Sequence, residues 1–168
     1  HELARASKRI RRLAMPTIAR VQGAAVGGGC GLAVVCDLAV THPEAKLGYP
    51  EVSLGVCPAV VAPWLMRKIG AGPARAMLLQ GGTMSGEAAL AKGMVDQLAP
   101  RETLNETVMT LAQDLAKGGV EAIATTKNWL NELDGSLDDV PLRRAADLSA
   151  QVIGSNEAQA RLRAVFGD

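Results

Sequence analysis

The chain has 168 residues, 48% of them hydrophobic, and a formal net charge of +1. That length supports one ordinary domain with a real core, and the near-neutral balance gives no reason to expect nucleic acid or another polyanion as a partner. The longest weakly polar stretch, Gly23 to Cys36, is short, interrupted by glycines and closed by Asp37, so no membrane span is expected.

The pattern opens on His1 with no initiator methionine, secretory leader or helix cap, which reads as a fragment. Residues 2 to 14 are predicted helical, carry Arg5, Lys8, Arg9, Arg11 and Arg12, and stop before Pro16. The basic cluster reads first as a solvated face near a helix C-terminus and second as an RNA or phosphate contact. Thr17 to Gln22 reads as a buried strand, and the glycines after it lead into a helix from about Gly29 to Cys36. Leu38 to Thr41 and Ala45 to Gly48 are predicted strands around a His42-Pro43 turn. Helices follow over Ala59 to Ile69 and Pro73 to Gln80, then a short one capped by Ser85 and stopped by Gly93, then a strand over Met94 to Leu98. This alternation is α/β construction. After Pro100 the pattern is helical, at 102 to 117, 121 to 133, 137 to 153 and 156 to 165, with Ser136 and Asp139 resembling a capping box. Leu104, Val108, Leu111 and Leu115 form an apolar stripe that reads as intrachain core ahead of a subunit interface.

Cys30, Cys36 and Cys57 lie in apolar surroundings and read as reduced core thiols of an intracellular, cytoplasmic protein. With His1 and His42 as the only histidines, no metal site is expected.

The chemical signal lies in Gly23-Ala-Ala-Val-Gly-Gly-Gly-Cys-Gly31 followed by Tyr49-Pro50-Glu51. Backbone N–H groups exposed by glycines at a helix start can hold an oxygen bearing negative charge, and a carboxylate beside that oxygen can move protons. The spacing does not meet the dinucleotide-binding Gly-x-Gly-x-x-Gly pattern, and the lysine and hydroxyl of a P-loop are missing. Two plainer readings stay open: glycines that only permit close helix packing, and a Glu51 that is a solvated turn residue.

Val21-Gln-Gly-Ala-Ala-Val-Gly-Gly-Gly-Cys-Gly-Leu-Ala-Val-Val-Cys-Asp37, Ala45-Lys-Leu-Gly-Tyr-Pro-Glu-Val-Ser-Leu-Gly55 and Gly81-Gly-Thr-Met-Ser-Gly-Glu-Ala-Ala-Leu-Ala-Lys-Gly-Met-Val-Asp96 together strongly resemble the crotonase family of enoyl-CoA hydratases and isomerases. The resemblance implies a spiral of ββα turns, with residues 1–99 as the C-terminal part of the spiral core and 100–168 as helices that assemble homotrimers or hexamers. It implies an N-terminally truncated chain, since the family is longer there, and a last helix, around Ala164 to Asp168, without the family's basic tail. Acyl-CoA is the implied substrate, with coenzyme A as its carrier and no separate cofactor. The family holds the thioester oxygen between two backbone N–H groups. Gly28 matches one donor, while the other falls in a segment this chain does not contain. Val26, Gly27, Gly28, Gly31, Pro50 and Glu51 are the implied substrate-binding positions, with Glu51 and Gly28 catalytic.

Hydratases of the best-known type carry a second glutamate where this chain has Gly31, whereas isomerases of the family often use one carboxylate at the Glu51 position. Leu54-Gly-Val-Cys-Pro-Ala-Val-Val-Ala-Pro-Trp-Leu-Met-Arg-Lys-Ile-Gly70 is similar to a bacterial subgroup associated with hydration of branched unsaturated acyl-CoAs such as methylglutaconyl-CoA. On that resemblance hydration leads and isomerisation is the rival, and a non-catalytic or RNA-associated protein of the same fold is the alternative of another class. Glycine at 31 would spare a substrate with its own distal carboxylate from repulsion.

Overall fold

The computed structural model describes residues 1–167. Its core is built by a repeated step. Strand β1 (Ile18–Val21) enters one sheet, and after Gln22-Gly23 the chain continues as β2 (Ala24–Val26) in a second. Helix α2 (Gly28–Val35) returns the chain, and β3 (Leu38–Thr41) and β4 (Lys46–Gly48) repeat the move. β3 pairs parallel with β1, Ile18 facing Leu38, and β4 pairs parallel with β2, Ala24 facing Lys46. Each turn of the spiral therefore adds one strand to each sheet and one helix between turns.

The next turn is longer. Tyr49-Pro50 leads into a short 3-10 turn, Glu51–Leu54, then helices α3 (Ala62–Ile69) and α4 (Ala71–Gln80). Strand β5 (Thr83–Ser85) then pairs antiparallel with β4, and helix α5 (Gly86–Ala91) and β6 (Gln97–Leu98) complete sheet orders β1-β3-β6 and β2-β4-β5. Ser85 caps α5 as expected, its hydroxyl accepting the Ala88 N–H at 3.2 Å. This is the crotonase-like ββα spiral. The predicted strand over Met94 to Leu98 shrinks to two residues, because Met94 and Val95 are buried as core rather than paired.

The main core gathers Cys30, Val35, Leu47, Tyr49, Trp64 and Leu65, with Met94, Val95 and Leu142. Helix α1 (Glu2–Arg11) ends three residues before the predicted limit and packs on α2, while α6 (Leu104–Leu115) covers β1 and β3. Of the apolar stripe, Leu104 is fully buried on Val40 and Ala99, with Val108 and Leu111 packed against that cluster. Those three residues are intrachain core, as read, while Leu115 is only half-buried and lies outside that cluster.

Three further helices follow: α7 (Val120–Leu133), α8 (Val140–Ile153) and α9 (Asn156–Phe166). Val120, Trp129, Leu133, Val140, Val165 and Phe166 are exposed on them. No helix among the described residues is long and apolar enough to cross a membrane.

The basic cluster is a solvated face only at Arg5 and Arg9, which are exposed; Lys8, Arg11 and Arg12 meet acidic partners from the other end of the chain. Lys8 and Arg12 both pair with Asp139, Arg12 at 2.6 Å, and Arg11 pairs with Asp134 at 2.6 Å. Arg12 also donates to the Leu137 carbonyl at 2.6 Å, and Arg67 to the Asp134 and Gly135 carbonyls at 2.9 and 3.0 Å. Four cations thereby hold the α7–α8 loop against α1 and α3. This loop also corrects the capping-box reading. Asp139, not Ser136, precedes α8 and makes no side-chain cap, and the Val140 N–H donates to Asp138. Ser136 is buried, receives Arg11 on its hydroxyl and gives its own N–H to Asp134.

Asp37, at the end of α2, is the acceptor under this clamp. It takes the Thr17 N–H at 2.7 Å, the Thr17 hydroxyl at 2.8 Å and the nearly buried Lys127 ammonium at 2.7 Å. Removing this carboxylate leaves Lys127 buried without its counter-charge, so Asp37→Ala is expected to lower the unfolding free energy by about 3 kcal/mol in urea titrations. A loss below about 1 kcal/mol, the range of an exposed ion pair, would show that the cluster contributes little.

Candidate active site

The site is organised by one backbone reversal. Gly27 lies at φ +58 and ψ −122, a conformation that L side chains rarely adopt, and its N–H donates to the Gly48 carbonyl at 2.8 Å. That bond ties the end of β2 to β4 and turns the chain sharply into α2. Gly31 N–H closes the first helical bond to the Gly27 carbonyl at 2.9 Å. The N–H groups of Gly28, Gly29 and Cys30 precede that bond and have no intrahelical acceptor. Gly28 N–H is therefore a donor at a helix N-terminus, where the helix dipole favours negative charge.

Tyr49-Pro50 brings Glu51 to the same place. A Cβ built on Gly27 would stand 3.0 Å from the Glu51 Oε1, so glycine at 27 is needed for the carboxyl to lie this close as well as for the turn. Oε2 is buried without a hydrogen-bond partner among the described residues. Burial pushes the Glu51 carboxyl above its ordinary range, and the hydrogen bond from its own backbone N–H offsets that only in part. Tyr49 is fully buried and Cys30 lies beside it, its thiol pushed up to about 11, chiefly by burial. Both groups stay neutral. Glu51 is thus a half-buried carboxyl with one free oxygen and, among the described residues, no cation paired to it, which answers the alternative of a solvated turn residue.

Gly27, Gly28, Pro50 and Glu51 thus meet at one corner, where β2, α2 and the 3-10 turn converge. Val26 precedes them on β2 with a partly exposed side chain. Gly31 lies one helical turn on and is buried. A Cβ there would come within 2.3 Å of Val61 Cγ1, so Gly31 touches no open space. The plain reading of the glycines as packing positions therefore holds at 31 and also at 28, whereas at 27 the missing Cβ makes room for the Glu51 carboxyl. Sequence patterning gave no sign of Leu3, whose Cδ2 would stand 3.1 Å from a Cβ on Gly28, or of Val61. Both are apolar residues distant in sequence from the glycine they cover. Gly29 faces the open groove of about 760 Å³ that runs along Ala19, Gln22 and Ala24. Among the described residues no three His, Cys, Asp or Glu side chains gather as a metal-ligand set.

The ββα spiral thus brings the first N–H groups of α2 and a half-buried carboxyl to one corner. The family profile described as Enoyl-CoA hydratase/isomerase matches residues 1–163, and the chain belongs to that family. A curated protein of Thermus thermophilus is 38% identical over 151 residues, 90% of this chain and 60% of its own. The 2,3-dehydroadipyl-CoA hydratase of Escherichia coli is 32% identical over 125 residues, 74% of this chain and 49% of its own. The crystal structure of an enoyl-CoA hydratase from Mycobacterium avium superposes with a TM-score of 0.86 at 27% identity, covering 97% of this chain and 64% of that one. The chain thus spans about half to two-thirds of the length of these relatives.

The raised carboxyl gives a signed stability test. Where both the folded and unfolded states hold Glu51 protonated there is no penalty, and as pH rises through the raised folded value the ionised carboxylate weakens the fold. Glu51→Gln, nearly isosteric and uncharged, is expected to raise the melting temperature at about pH 7 and leave it unchanged at about pH 4. A variant melting lower than the parent at about pH 7 would mean that the ionised carboxylate is stabilised in place.

Proposed function

We propose that the complete protein is an enoyl-CoA hydratase that adds water to 2-enoyl-CoA thioesters, with Glu51 as acid/base and the Gly28 N–H as one oxyanion donor. The observation that carries this is the Glu51 carboxyl lying against Gly27, with its second oxygen unpartnered, beside the free N–H groups of the α2 start. The thioester carbonyl is the electron sink, so no separate cofactor is called on. Glu51 takes a proton from water as the water oxygen bonds to C3, and the double-bond electrons move to the thioester oxygen. The enolate is held by Gly28, and C2 then takes the proton back from Glu51. The balance is one water added across the double bond. The carboxyl is suited to this return because burial already favours its protonated form.

The same residues support a second reading, isomerisation, in which Glu51 removes a proton from one carbon and returns it to another. The lack of a second carboxylate at Gly31 favours it. Hydration leads because of the Pro58-Ala59-Val60 resemblance and because a relative's name describes hydration of an acyl group with a distal acid. Branched or dicarboxylic 2-enoyl groups are the substrates we favour. The exposed apolar residues of α7 to α9 support a homotrimer or hexamer, and a cytoplasmic location is the setting we assign to the free thiols of Cys30, Cys36 and Cys57.

Incubating the complete protein with 2-enoyl-CoA and 3-enoyl-CoA in heavy-oxygen water tests the reading by mass spectrometry. The expected result is heavy oxygen in a 3-hydroxyacyl-CoA, reduced about 10²–10⁴-fold in Glu51→Gln. Double-bond migration without oxygen uptake would make the protein an isomerase.

A further inference from the structure

Val61 stands immediately before α3 and is buried, with only 3% of its surface exposed. Its backbone is fixed by the start of α3, whose Leu65 N–H donates to the Val61 carbonyl at 3.1 Å. Its side chain is directed at α2: Cγ1 would lie 2.3 Å and Cβ 3.1 Å from a Cβ on Gly31. A β-branched side chain has few alternative rotamers, so it cannot swing aside cheaply. Side chains on a helix lean toward its N-terminus. Anything longer than hydrogen at 31 would lean back along α2 toward Gly27, where Glu51 stands.

Resting on the reading of this site as an acyl-CoA site, we infer that Val61 is a specificity-determining residue that fixes the number of carboxylates at one. It occupies the space a side chain at 31 needs and so leaves Glu51 to take and return the proton alone. Gly31 and Val61 form a reciprocal pair. A carboxylate at 31 needs a residue smaller than valine at 61, and valine at 61 demands glycine at 31. The glycine is thus required by packing, whatever the charge of the substrate. A further consequence concerns protonation: with one carboxylate, the pH profile of kcat/KM has one acid limb in the carboxyl range, and a second carboxyl adds another ionisation.

The test has two arms in the complete protein. The first reads thermal melting alone and does not depend on any activity. Gly31→Ala is expected to lower the melting temperature by roughly 3–10 °C when Val61 is present. In a Val61→Ala background the same change is expected to cost less than half as much, because the overlapping methyl is gone. Equal costs in both backgrounds would overturn the contact. The second arm compares pH profiles of Gly31→Glu and of Gly31→Glu with Val61→Gly, on whichever enoyl-CoA the protein turns over. A second ionisation is expected only when valine is absent from 61. Identical profiles would overturn the role of Val61 in setting the carboxylate number, while failure of the protein to turn over any enoyl-CoA would count against the functional reading and leave the melting result standing.

Discussion

The structure of this chain turns on the backbone at Gly27. A residue at φ +58, bonded through its N–H to Gly48, converts the end of a strand into the start of a helix within one peptide. Two consequences follow from the same geometry. The first N–H groups of α2 are left without acceptors and point where the helix dipole is positive, and the missing Cβ opens the place that the Glu51 carboxyl occupies. Any L side chain at 27 would strain the turn and crowd the carboxyl together. The free N–H groups of the α2 start and the placement of the Glu51 carboxyl are therefore consequences of one constraint.

The remainder of the fold holds that corner in position. Leu3 of α1 lies over Gly28, and α1 itself is fixed through Lys8, Arg11 and Arg12 to Asp134 and Asp139. At the other end of α2, Asp37 is gripped by Thr17 and Lys127. The site is costly in stability, since Glu51 Oε2 is buried without a partner and the carboxyl resists ionisation. That cost is the usual mark of a proton-transfer group, and the surrounding ion pairs and core offset it.

Local signals were legible in the sequence, and signals carried by distant partners were not. Leu38–Thr41 stood out because a short apolar run between turns is a strand in any context, and Ser85 stood out because a cap is a local device. β2 was missed because Ala24–Val26 is three small residues beside glycines, and it is a strand only because Lys46–Gly48 pairs with it 22 residues later. The basic run of α1 looked solvated because its acidic partners lie more than 120 residues away. The glycine run and Glu51 stood out as glycines followed by a carboxylate, while Gly28 was singled out only by the family resemblance. Val61 carries no chemical signal, being a valine among apolar neighbours, and only its distance to Gly31 gives it a role.

The central claim is that the Gly27 turn presents the Gly28 N–H and Glu51 to the same bound group. A crystal structure of the complete protein with a 3-hydroxyacyl-CoA tests it most directly. The account predicts the thioester oxygen within about 3 Å of the Gly28 nitrogen, with the Glu51 carboxyl in hydrogen-bond reach of the 3-hydroxyl. A ligand whose thioester oxygen is held by other donors, or a Glu51 turned away from the acyl chain with Gly27 still at positive φ, would contradict it.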